Sequence, residues 1–210
     1  MRYLEDTEQV EFIVTMKDGG WFGLLPGDTG MAQNADILAF FADGDNSSFG
    51  DYTSIGYQPP EIDSIQDLEA HPVNMVEKDP DGRVTLFVRR ALDTGDERDF
   101  VFPLDQEFDM GYAYNDEANE LSWLTKHQLA GHFKMTLPSN GDPVLGSLPE
   151  VHGGTGGDGG DNTVIEDDGL DIGKALKGYL DMFFSTDGAS EVSKVIGTLS
   201  AVSIASAMLF

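Results

Sequence analysis

The chain has 210 residues, with four His, eight Met and no Cys. Without a thiol there can be no disulfide, iron–sulfur cluster, Cys-based zinc site, thiol catalysis or covalent haem attachment. The sequence also lacks the fingerprints of serine hydrolases, zinc proteases and nucleotide-binding loops. Any metal or cofactor must therefore be held by His, Met, carboxylates or the backbone.

Carboxylates are abundant, but their spacing selects no single site. Asp43–Asn46 hints at a calcium loop, although the Gly and the final Glu of an EF-hand are misplaced. The acids of Asp93–Asp99 could gather around a cation, and a carboxylate pair for glycoside hydrolysis is a further reading. Nothing selects one pair among 38 acids. We therefore expect these segments mainly to form turns and solvated surface.

Arg89 and Arg90 are adjacent in a segment with the alternation of a strand, so one of them must face away from the core. We expect a surface ion pair with Asp93, Asp96 or Asp99, of the kind that contributes little stability.

The charge balance removes further classes of function. With 38 Asp and Glu against 12 Lys and Arg, the net charge is −26, which disfavours binding to nucleic acids and to anionic lipid. The acids do not make the chain a disordered polymer, because 40% of it is hydrophobic and 10% aromatic. Residues 1–149 hold 28 acids and 9 bases, a net charge of −19, and both Trp.

The elements that position these residues are predicted to be strands. Alternating or continuous apolar segments separated by turn residues occur throughout the first 140 residues, without a helical pattern before residue 165. The pattern predicts an all-β fold, an antiparallel β-sandwich. The segments are Glu11–Lys17, Trp21–Leu25, Asp36–Ala42, Arg83–Leu92, Met110–Tyr114 and His132–Leu137.

The composition changes after the strands, and we place a β-sandwich domain at 8–142. A Gly-rich acidic stretch at 150–170 indicates a flexible linker. Residues 171–184 have the spacing of a short amphipathic helix. Residues 195–210 carry no charge and would span about 24 Å as a helix, short of a bilayer core. This tail is interpreted as a GPI signal or membrane anchor, with a buried terminal helix as the alternative.

The N-terminal segment conflicts with a GPI signal, because Met1–Asp6 lacks the apolar region of a signal peptide. We expect a leader that this sequence does not include. Asn46 begins a glycosylation sequon, which would suit an extracellular or lumenal loop.

Ordered motifs over about residues 10–140 resemble the DOMON family. They are Trp21–Gly23, Gly30-Met31, Ala35–Ile37, Asp51-Tyr52, Pro60 with Asp63 and Gln66-Asp67, Arg90–Asp96 with Asp99, Ala113-Tyr114, and Lys126-His127 with Gly131. The resemblance implies an immunoglobulin-like β-sandwich, usually extracellular or lumenal, that binds haem or, in other branches, sugars and related ligands.

In the cytochrome branch the resemblance implies a non-covalent haem b, with Met31 and His127 as axial ligands and His132 as a weaker candidate. Trp21 and Trp123 would wall the porphyrin, and Arg90 could pair with a propionate. A Met/His pair fills both axial positions, so such a site transfers electrons and does not activate oxygen.

The resemblance therefore favours a membrane-tethered haem b electron-transfer domain that works with a redox partner protein or a small reductant. One alternative is a haem-free DOMON module that binds a sugar, a small aromatic molecule or a protein. A second is a cytosolic tail-anchored adaptor. An enzyme in its own right has the least support.

Overall fold

A computed structural model describes residues 1–56, 58–73, 75–116, 127–140, 143–145 and 150–153. All of them belong to the first of two units into which the chain divides, Met1–Ile165 and Glu166–Phe210. Trp123, most of the predicted linker, the predicted helix at 171–184 and the tail at 195–210 lie outside the described residues. In the described part of the chain, no helix has the length and apolar character needed to cross a membrane.

The described residues fold almost entirely as strands, with one 3-10 turn at Glu5–Thr7. The strands are β1 (Arg2–Leu4), β2 (Gln9–Lys17), β3 (Trp21–Pro26), β4 (Gln33–Phe41), β5 (Ser48–Ile55), β6 (Glu61–Ile62), β7 (Glu69–Ala70), β8 (Val76–Lys78), β9 (Arg83–Ala91), β10 (Glu107–Asn115), β11 (Leu129–Thr136), β12 (Val144–Leu145) and β13 (Glu150–Gly153).

Within these residues the strands form two antiparallel sheets. The five-stranded sheet has the order β1-β2-β9-β7, with β8 also paired to β9. The eight-stranded sheet has the order β12-β11-β10-β3-β4-β5-β6, with β13 also paired to β11. The predicted all-β antiparallel sandwich is confirmed, and each of the six segments identified in the sequence overlaps a long strand.

The core forms where the two sheets face each other. Phe12 of β2 contacts Phe40 of β4, with ring centroids 6.2 Å apart, and Phe40 in turn lies 6.4 Å from Phe22 of β3. Alternation then assigns every second residue of these strands to the interior. In β9 that alternation is complete from Arg83 to Ala91, whereas the apolar β4 is buried on both faces from Ala35 onward.

Candidate functional site

The face of the eight-stranded sheet that points away from the core is built from small and apolar residues. Strand register places Gly23 beside Ala39 and Ala113, while Gly111 lies between Leu25 and His132. Side chains this small allow close approach to the backbone, and this face is covered by other parts of the protein, since Leu25, Ile37 and Ala39 are 6%, 2% and 0% exposed. We call it the small-residue face. Its members are Gly23, Leu25, Ile37, Ala39, Gly50, Gly111, Ala113 and Ala130.

Aromatic side chains flank the small-residue face at one end. Trp21, which is 4% exposed, packs with Ala39 and Phe41 in a cluster that Tyr52 and Ala113 complete. The rings of Phe41 and Tyr52 meet edge to face at 6.4 Å. Trp21 therefore lies on the small-residue face, and its predicted role at a porphyrin stays a prediction.

The loop that carries Met31 folds over this face at its other end. Residues 27–32 connect β3 to β4, and the carbonyl oxygen of Asp28 would lie 3.0 Å from a Cβ built on Gly111. Gly27 begins the loop with φ +76°, and the Phe100 ring occupies the space that a side chain there would need. Only Gly can adopt this positive φ easily and also leave room for the Phe100 ring. Met31 itself is partly exposed.

His127 lies at the opposite end of the same sheet. It precedes Gln128, whose N–H donates to the Tyr114 carbonyl oxygen at 2.9 Å, and Tyr114 pairs with Phe22 beside Trp21. The two residues therefore do not share one end of the sandwich. The antiparallel register of β3, β10 and β11 separates their ends by about 17 Å, five steps of a strand.

His132 occupies a position between the two ends. It pairs with Gly111 across β10 and β11, so it lies on the small-residue face near the Met31 loop. Alternation alone would have placed it on that face, because the buried Phe133 faces the core. Of the two histidines, His132 is therefore the one that strand pairing places on the face that the Met31 loop approaches.

Arg90 is buried in the interior of the sandwich. Its side chain is 0% exposed, and its two terminal nitrogens lie 2.8 Å from carboxylate oxygens of Asp36 and Asp99. The ring of Phe102 stacks on the guanidinium, with its centroid 5.8 Å from Cζ. The pair with Asp99 is therefore buried, and the expectation of a surface pair is wrong because Arg90 follows the inward phase of β9. A role at a haem propionate would require displacing one of these carboxylates.

The carboxylates around Arg90 outnumber it. The Phe100 N–H donates to Asp36 Oδ2 at 2.9 Å, and the Thr94 hydroxyl donates to Asp99 Oδ2 at 2.6 Å. Burial raises the pKa of Asp36 even though Arg90 acts in the opposite direction. The pKa of Arg90 is raised, since its carboxylate neighbours outweigh the effect of burial.

Asp51 is the most perturbed member of this group. Its residue is 1% exposed, and burial together with the negative charge of Asp36 raises its pKa to about 8. Sequence reasoning did not identify Asp51 as a buried acid. Its position opposite Leu38 in β5, facing the core, is the signal that strand pairing supplies.

A second carboxylate group lies beside the first. One carboxylate oxygen from each of Asp63, Asp96 and Asp99 lies within 4.8 Å of the other two. Arg98 pairs with Asp63 at 2.6 Å and with Asp96 at 3.6 Å. Burial would raise the pKa of Asp63, but hydrogen bonds and Arg98 lower it.

The other sequence candidates form turns and surface. Asp93 accepts a hydrogen bond from the Gly95 N–H at 2.9 Å, as expected for a turn residue. Asp45 is exposed and lies 3.9 Å from the Lys78 ammonium. Asn46 is exposed in the β4–β5 turn, where its N–H donates to the Asp43 carbonyl oxygen.

One family model and two solved structures are similar to this chain. The family model of the DOMON domain matches residues 1–115. The cytochrome b domain of pyranose dehydrogenase from Coprinopsis cinerea is 16% identical, with a TM-score of 0.42 over 63% of this chain and 78% of that one. The cytochrome domain of Myriococcum thermophilum cellobiose dehydrogenase is 15% identical, with a TM-score of 0.44 over 65% of this chain and 72% of that one. No curated protein matches the sequence. Because the family model covers more than half of its length, the chain belongs to the DOMON family.

Proposed function

We propose that this domain binds haem b without a covalent bond and transfers electrons. The observation that carries the proposal is the small-residue face of a DOMON sandwich, flanked by Trp21 and approached by the Met31 loop. A porphyrin is flat and apolar, and Gly and Ala allow such a group to approach the backbone closely.

The donor set fits a haem. With no Cys in the chain, axial ligands must come from thioether or imidazole, and Met31 with His127 supplies one of each. Because they lie at opposite ends of one sheet, both side chains would have to extend inward across the small-residue face to reach one iron. His132, on the same face, is the alternative imidazole.

A haem with Met and His on its two axial positions would supply reversible one-electron chemistry, with a potential raised by the thioether. In that arrangement, the role of the protein is to fill both axial positions, exclude water with the apolar face and hold the porphyrin rigidly. These roles describe an electron carrier better than an oxygen-activating enzyme.

Haem reconstitution of the purified chain tests the proposal. We expect a Soret band and the sharp α/β bands of a six-coordinate low-spin haem, with the band pattern altered in Met31→Ala and in His127→Ala. His132→Ala is measured beside them, because it removes the alternative imidazole. No Soret band in the wild-type protein would overturn the proposal and favour a haem-free ligand-binding module.

A comparison of His132→Ala with His127→Ala also decides which imidazole binds the iron. Loss of the six-coordinate spectrum in His132→Ala with retention in His127→Ala would reassign the ligand while leaving haem binding intact. Equal spectra in all three variants would contradict axial ligation by these residues.

We further propose a location and a partner class for the domain. The net charge of −26 would steer a basic redox protein toward it and repel anionic reductants. The uncharged segment 195–210 would tether the domain at an extracellular or lumenal membrane surface. Detergent phase partitioning tests the tether by comparing the full chain with a chain that ends at Lys194. We expect only the full chain to enter the detergent phase.

A further inference from the structure

A group of buried carboxylates lies inside the sandwich, on the core side of the sheet that bears the small-residue face. One oxygen from each of Asp36, Asp51 and Asp99 lies within 4.8 Å of the other two. Asp36 comes from β4 and Asp51 from β5, while Asp99 belongs to the connection between β9 and β10. The group thus links two strands of the eight-stranded sheet to the segment that follows β9 of the five-stranded sheet.

The hydrogen bonding of this group is incomplete. Asp36 Oδ1 and Asp51 Oδ2 are buried, and no donor among the described residues reaches either oxygen. A buried carboxylate oxygen without a donor carries a large desolvation cost, and native proteins seldom leave one so. Arg90 satisfies only the other oxygen of Asp36, at 2.8 Å, and lies 2.8 Å from Asp99.

The charge is also unbalanced. Asp67, whose pKa is raised by burial and by its neighbour Asp99, adds a fourth acid to the surroundings of Arg90. Three buried carboxylates and the partly buried Asp67 around one guanidinium leave an excess of negative charge. A second cation, or a proton on one carboxylate, is needed to offset it.

We propose that Asp36, Asp51 and Asp99 bind a divalent cation of the Ca²⁺ class. The donors are all hard oxygens, which Ca²⁺ prefers. Oxygens bound to one Ca²⁺ can be up to about 4.8 Å apart for a bond length of about 2.4 Å, so the spacing of the group allows a shared ion, and Ca²⁺ tolerates irregular coordination that Mg²⁺ does not. The cation competes with the proton on Asp51, and it bridges β4, β5 and the β9–β10 connection. This inference does not depend on haem binding.

Thermal unfolding with and without Ca²⁺ tests the site. The whole chain is first treated with EDTA to remove bound metal, and unfolding is then measured in about 0.5 M NaCl, which screens surface charge. At a Ca²⁺ concentration about a hundredfold above Kd, we expect the Tm to rise by about 5–10 °C. Calorimetric titration should show saturable binding of one ion, weaker for Mg²⁺.

Variants identify the ligands. Asp51→Asn should abolish the Ca²⁺-dependent rise in Tm, and Asp99→Asn serves the same purpose if the first variant does not fold. Asp96→Asn is the matched control, because Asp96 belongs only to the neighbouring group with Asp63. Retention of the full rise in both Asp51→Asn and Asp99→Asn, its loss in Asp96→Asn alone, or no saturable binding by the wild-type chain would each overturn the assignment.

Discussion

The pKa of Asp51 predicts how the stability of this domain depends on pH. Burial is the main cause of its rise to about 8, and the negative charges of Asp36, Asp99 and Asp63 act in the same direction, opposed by Arg90. In the unfolded chain the same carboxyl titrates near its ordinary value of about 4. Between these two values the native state holds a proton that the unfolded state has lost. Rising pH therefore favours unfolding across this range.

The informative perturbation is Asp51→Asn, which keeps the shape of the protonated acid and removes its titration. A difference of about 4 pKa units corresponds to a ceiling of about 6 kcal/mol, at about 1.4 kcal/mol per unit. The acidic unfolded chain raises the carboxyl's pKa there as well, so we expect a smaller gain. The variant should exceed the wild type by about 2–4 kcal/mol near pH 8.5, and the difference should shrink steadily toward about pH 5.

Urea unfolding followed by tryptophan fluorescence measures this difference, in EDTA so that no divalent cation replaces the proton. The matched control is Asp105→Asn. The Ser139 N–H lowers the pKa of Asp105, so its stabilising effect is present above the ordinary pKa and is lost as pH falls. Asn also tolerates the left-handed backbone at this position, φ 58°. A difference between Asp51→Asn and wild type that stays constant from about pH 5 to about pH 9 would refute the reasoning.

Two further predictions concern the interior charge and the small-residue face. Arg90→Met should lower the free energy of unfolding by about 3–5 kcal/mol, because it leaves buried carboxylates without their cation. In the same urea titration Arg89→Met should cost less, because the buried Glu11 keeps its second arginine partner, Arg2. Gly111→Ala should weaken haem binding about tenfold, or about 1.4 kcal/mol, because the new Cβ meets the backbone of the Met31 loop. Gly30→Ala, whose Cβ would have nothing within 4 Å, is the control for a haem titration. Equal affinities of the two glycine variants would contradict a haem on this face.

The local sequence pattern was sufficient to predict the positions of the long strands. The continuous apolar run of β4 is typical of a strand covered on both faces, and the structure buries seven consecutive residues there, from Ala35 to Phe41. Alternation in β9 places Val84, Leu86 and Val88 in the core, and Arg90 continues the same phase. The inward direction of Arg90 was therefore present in the sequence. The identity of its partners was not, because Asp36 lies 54 residues away along the chain.

In the candidate site, too, the sequence predicted which residues are candidates, whereas their relative positions depend on distant parts of the chain. The order of the family motifs singled out Met31 and His127, and the absence of Cys restricted any haem to thioether and imidazole ligands. Which ends of the sheet these residues occupy depends on the antiparallel register of β3, β10 and β11. Register between distant strands depends on many weak cross-strand contacts, and no single segment records it.

By itself, the sequence determined the strand periodicity, the family and the chemical types available for a cofactor, because these depend on residue type and local order. Only the tertiary structure decided that Gly23, Ala39 and Gly111 share one face and that Asp51 is a buried acid with a pKa near 8. The physical reason is that the shared face depends on the pairing of strands and the pKa of Asp51 depends on the desolvation of its carboxyl group. Both are sums over atoms brought together from distant parts of the chain, so neither can be read from any one stretch of it.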